Sequence, residues 1–124
     1  MKYLCLVYLD EKKLSEVPDA DCVAHDAALG KSGHRIASEA LESVQTATTV
    51  RVRNGKLSVT DGPFAETKEQ LAGFYLVEAR DLNEAIQLAA KIPPARVGSI
   101  EVRPVRAIRE TVARAAAQQA KNLS

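Results

Sequence analysis

Two segments of this chain, Met-Lys-Tyr-Leu-Cys-Leu-Val-Tyr-Leu at its start and Leu-Ala-Gly-Phe-Tyr-Leu-Val-Glu-Ala at 71–79, are apolar on both faces when read as strands. In the first, Tyr3, Cys5, Val7 and Leu9 alternate with Leu4, Leu6 and Tyr8; in the second, Leu71, Gly73, Tyr75 and Val77 alternate with Ala72, Phe74 and Leu76. A strand that faces water on one side keeps polar residues there, so these two predict central strands covered on both sides. The chain has 124 residues, enough for one domain and one core.

The other elements follow from local signals. Pro18 with Asp19 and Asp21 opens a helix, since proline suits a first turn and carboxylates suit its positive end. Gly33 stops that helix just beyond Lys31. In "TTVRVRNGKLSVT", residues 48–60, Asn54-Gly55 predicts a two-residue type I′ hairpin, pairing Arg53 with Lys56, Val52 with Leu57 and Val50 with Val59. The same register sets Thr48 opposite Asp61, which places a carboxylate at the end of an apolar strip. Asp81 and Glu84 form a capping box for a helix that ends at Ile92, before Pro93-Pro94. A short strand over 98–105 is limited by Pro104, and an amphipathic helix follows from Ala107 with Ile108 and Val112 on its apolar side.

The order is β-α-β-β-α-β plus a C-terminal helix, an α+β chain of the ferredoxin-like split βαβ type with an antiparallel sheet. Two helices cover one sheet face, and a second copy of the sheet is the economical cover for the other, so a homodimer is expected. The expected division is a domain over 1–106 and a helical tail over 107–124.

Composition excludes several function classes. Seventeen basic against sixteen acidic residues leave no field to attract nucleic acid or anionic lipid. No segment has the length of a membrane span, and the apolar start lacks a cleavage site before Glu11, Lys12 and Lys13. Cys5 and Cys22 form no disulfide framework, and two histidines without ligand spacing predict no metal site. Glycine-rich phosphate loops and nucleotide fingerprints are absent, so no cofactor is expected. A cytoplasmic protein is the simplest expectation.

"SGHRIASEALESVQTATTVRVRNGKLSVTDGPFAETKEQLAGFYLVEARDLNEAIQLAAKIP", followed by "GSIEVRPV", closely resembles the YCII-related proteins, in the subgroup marked by a DGPF motif. The motif is Asp61-Gly62-Pro63-Phe64, continuing through Ala65-Glu66-Thr67-Lys68-Glu69, and the resemblance runs from the start to Val105. It implies a dimeric α/β barrel of ferredoxin-like units. It also implies, for some members, an enzyme with a His–Asp pair in the cleft between sheets, one lineage eliminating chloride from a chlorinated hydroxyhydroquinone. Relatives joined to sigma-factor modules imply regulation or ligand sensing as readily as catalysis. This chain departs from the subgroup at Ala72, His25 and Gly30, and none of these removes the acidic residues or His34.

His34 and Asp61 are the leading candidates for catalysis, an imidazole to move protons and a carboxylate to orient it or act as base. The plainer reading gives Asp61 to the Asp-Gly-Pro turn and His34 to the end of the first helix. Glu66 and Lys68 are candidate substrate contacts at the cleft mouth, with Glu69 better explained as solvated. Glu39 lies just before a strand and is a further candidate contact, with a surface ion pair as its alternative. Cys22, His25 and Asp26 share a helix side, but Asp26 opposes a reactive thiolate, and a small buried cysteine is the default. Two functions therefore stay open. One is a homodimer binding a small polar or aromatic molecule with cofactor-free acid–base chemistry, an elimination or isomerisation. The other is a non-catalytic ligand-sensing or interaction module working with transcription regulators.

Overall fold

A computed structural model describes residues 1–123. The chain runs β1 (Lys2–Leu9), α1 (Asp19–Lys31), β2 (Arg35–Ala40), β3 (Thr48–Arg53), β4 (Lys56–Asp61), β5 (Gln70–Glu78), α2 (Leu82–Ala90), β6 (Ser99–Pro104) and α3 (Ile108–Leu123). Short 3-10 turns cover Glu11–Glu16, Val44–Thr46 and Pro93–Arg96. The main sheet is antiparallel with strand order β2-β5-β1-β6, and β3 pairs only with β4. β1 and β5, the two strands apolar on both faces, are the two central ones.

The hairpin forms in the expected register, Thr48 opposite Asp61 and Arg53 opposite Lys56, with Asn54 and Gly55 at positive φ. It does not join the main sheet. The strand that completes the βαββαβ order is instead Arg35–Ala40, so Glu39 lies inside β2 rather than before a strand. "RIASEA" carries one strong β-former, Ile36, and its pairing with β5 slips between Arg35 and Ala37. An edge strand packed on one side needs no clean alternation, which hid it.

Register sorts the sheet into two faces. Tyr3, Cys5 and Val7 stand beside Val77, Tyr75 and Gly73. That face is buried with Leu29 of α1, Ala85 and Ala89 of α2, and Ile92. Leu4, Leu6, Phe74 and Leu76 form the middle of the opposite face. They are only half-buried, because both core helices lie on the other side. Every described residue of α3 is exposed, so that helix does not cover the second face either.

Candidate functional site

The open sheet face is the first place to look for a ligand. Its floor is Leu4, Leu6 and Tyr8 of β1 with Phe74 and Leu76 of β5. The edge strands supply the polar groups: Glu39 of β2 pairs with Phe74, while Glu101 and Arg103 of β6 pair with Leu6 and Leu4. The loop between β4 and β5 borders one end. There Ser99 Oγ donates to Glu69 Oε1 at 2.7 Å, and Thr67 and Glu69 share a shallow surface with Tyr8. Glu69 is thus bonded to β6 rather than freely solvated.

The polar loop owes its shape to backbone contacts. Gly62 sits at φ 96°, a conformation that suits a residue without Cβ. Its N–H donates to Ala47 O at 2.7 Å, and its carbonyl accepts from Thr49 Oγ1 at 2.7 Å. The Asp61 side chain makes no hydrogen bond or ion pair among the described residues, so it does not hold the turn. Glu66 lines a depression of about 300 Å³ with Pro63, Thr67, Gln70 and Val44. Lys68 has no ion pair among the described residues.

His34 lies elsewhere. Its carbonyl accepts from Glu78 N at 2.8 Å, at the far end of β5 from the polar loop. The six residues of β2 separate the two ends, roughly 20 Å at strand rise. Ser32 Oγ donates to Leu29 O at 2.8 Å, leaving His34 Nδ1 to donate to Ser32 Oγ, also at 2.8 Å. His34 Nε2 is 3.5 Å from Glu84 Oε1, which also accepts from Arg80 N at 3.0 Å. Within one chain His34 is partnered by Ser32 and Glu84, and no hydrogen bond or ion pair links it to Asp61 among the described residues.

The members of the helix-side trio make separate contacts. Asp26 accepts from Arg35 Nη1 at 2.5 Å and from Ser38 Oγ at 2.6 Å. His25 packs edge-on against Tyr75, with ring centroids 5.3 Å apart and planes at 82°. Burial pushes the Cys22 thiol up, and Asp19 and Asp21 push it further, so it is no activated nucleophile.

Comparison with known proteins fits this architecture. The YCII-related domain model matches residues 1–109. The chain belongs to the YCII-related family. An uncharacterised protein of Rhizobium meliloti (strain 1021) is 51% identical over 61 residues, 48% of this chain and 49% of that relative. The chain thus spans about half the length of the curated relative it matches. The match to the YCII-related model stops at Arg109, the second residue of α3, which lies almost wholly outside it. Among the described residues no helix is long and apolar enough to cross a membrane.

Proposed function

We propose that this YCII-related chain, a member of the DGPF-motif subgroup, works as a homodimer whose open sheet faces pack together and enclose a cleft for a small polar or aromatic molecule. The uncovered row Leu4, Leu6, Phe74 and Leu76 carries this reading. These four half-exposed apolar side chains on central strands are stabilised by about 1 kcal/mol or more each when covered. A second copy offers the same surface and closes the contact by twofold symmetry.

In this reading Glu39 faces the cleft from the edge strand beside Phe74, and the loop that begins at Asp61 and carries Glu66 and Lys68 forms its polar end. Elimination or isomerisation of a ring compound needs a base that is near the ligand and not already committed. Asp61 and Glu39 meet that condition, and Lys68 is the cation to pair an anionic substituent. His34 is turned toward Glu84 on α2, and in this reading it positions the end of α1.

The test is a melting-temperature screen with small aromatic carboxylic acids, joined to sedimentation of the wild type and Leu6→Glu. A dimer that Leu6→Glu dissociates, and a stabilising acid whose effect disappears in Asp61→Asn and Glu39→Gln but persists in His34→Ala, is expected. A monomeric wild type would remove the cleft. Loss of the effect in His34→Ala, with the fold intact, would return proton transfer to a His34–Asp61 pair.

A second reading, a non-catalytic interaction module, is favoured by α3. Ile108, Val112 and Leu123 are 51%, 61% and 89% exposed, an apolar stripe with no cover among the described residues. Under this reading no acid shifts the melting, and removing α3 abolishes partner binding.

A further inference from the structure

A second concavity lies on the other side of the sheet, sharing only Glu39 and Phe74 of the edge pairing with the cleft reading. It is a space of about 400 Å³ between α1, the 3-10 turn after β1, and the neighbouring ends of β2 and β5. That volume suits a small organic ligand. Val7, Leu9, Val17, Val23 and Ala72 make its walls apolar.

Polar side chains line this apolar space, among them Cys22, Asp26, Ser38 and Tyr75, with Asp19 and Glu39. Asp26 is held from two sides by Arg35 Nη1 and Ser38 Oγ, so its carboxylate is a fixed acceptor rather than a swinging surface charge. Tyr75 packs against the His25 ring in a T-shaped contact. Burial, with Cys22 and Asp26 nearby, pushes the Tyr75 hydroxyl up to about 12, which keeps it a neutral donor. His25 Nδ1 is buried without a hydrogen-bond partner behind that ring. The folding core gains nothing from so many polar groups around an open apolar space, and a ligand would use them.

The charges select among ligands. Asp19, Asp26 and Glu39 line the cavity, and among the described residues no lysine or arginine does. A carboxylate or phosphate entering it would meet three carboxylates, of which only Asp26 has an ion-pair partner among the described residues, Arg35, whereas a hydroxyl or an ammonium would meet acceptors. Leu14, Val23 and Leu41 form an apolar mouth, 47%, 69% and 48% exposed.

We propose that the cavity between α1 and the β2–β5 edge is a ligand site for a small aromatic molecule bearing a neutral or cationic hydrogen-bond donor, and that it excludes anions. The ligand's ring lies against the Tyr75 wall and its donor faces Asp26. This site is separate from the inter-sheet cleft and does not depend on dimerisation.

The probes are 4-ethylphenol, tyramine and 3-(4-hydroxyphenyl)propanoate, titrated into the full chain while backbone amide resonances are followed. The first two are expected to shift the amides of Cys22, Val23 and Ser38, with the propanoate binding at least about tenfold more weakly. Val23→Trp blocks the exposed mouth without touching the core and is expected to weaken 4-ethylphenol by a similar factor. Asp26→Asn is expected to narrow the gap between tyramine and the propanoate. Alkylation of Cys22 by iodoacetamide should slow when 4-ethylphenol is bound, with fully buried Cys5 as the internal control. Leu6→Glu, which breaks the cleft, should leave all of this unchanged, so the two sites fail separately. The proposal is overturned by shifts confined to Leu4, Leu6 and Leu76, by equal binding of the propanoate, by full affinity in Val23→Trp, or by no shift with any probe.

Discussion

His25 shows how a single side chain couples acid to folding. Burial is the main cause holding its imidazole below the ordinary 6.5; Lys91 adds to this and Asp26 opposes it. Because the unfolded chain takes up the proton first, the native state keeps full stability above about pH 6.5 and loses it as pH falls toward the folded value. Denaturant midpoints measured from pH 7.5 down to pH 5 should therefore fall in the wild type. His25→Phe retains an aromatic edge against Tyr75 and should flatten this part of the profile; an unchanged slope would assign it to the carboxylates. A different constraint acts at Gly98, where an added Cβ would lie 2.2 Å from Tyr8 O and 3.3 Å from Leu9 Cα. Both neighbours are backbone and cannot swing aside. Gly98→Ala should cost about 2–3 kcal/mol, read from the urea midpoint, and a neutral result would mean the β1–β6 junction yields more easily than its packing suggests.

Elements vary in how far local chemistry determines them. α2 is set by its first turn: Asp81 Oδ1 accepts from Glu84 N at 2.9 Å, and Glu84 reaches back to Arg80 N, one residue before the usual box partner. Asp81→Ala should lower stability by about 1 kcal/mol by calorimetry, with the loss concentrated in exchange of the α2 amides. The β3–β4 hairpin is equally local, since Asn54-Gly55 alone selects its turn and register. β2 is the opposite case. Its residues form a strand because β5 presents an unpaired edge to them, and nothing within "RIASEA" announces this. α1 shows a third pattern: the described helix carries one buried residue, Leu29, and its inner side otherwise faces the polar-lined cavity. Its residues Cys22 and Asp26, one turn apart, are dismissed as a nucleophile set on sequence grounds. The spacing that sets them on one side was visible, but the partners that give them meaning, Ser38 and Tyr75, come from other strands.

At the scale of the whole molecule, the sheet is covered on one side only, and α3 buries none of its residues. A chain ending at Arg106 should therefore keep the unfolding midpoint of the full chain when both carry Leu6→Glu, with circular dichroism losing only the helical signal of α3. A large drop in midpoint would show that α3 packs on its own domain. The sequence by itself determined what acts through neighbours along the chain: the apolar alternation of β1 and β5, the Asn-Gly hairpin, the Asp81 cap, and the ferredoxin-like order these elements imply. Those features depend on φ/ψ preference, capping and side-chain period, each read within a few residues. Only the tertiary structure decided which strand completes the sheet, that the hairpin stands apart, and that His34 finds its partners in Ser32 and Glu84. It also decided that Cys22, Asp26, Ser38 and Tyr75 share one cavity. Such facts depend on contacts between residues distant in sequence, and closing those loops is settled by the burial of the whole sheet rather than by any local signal.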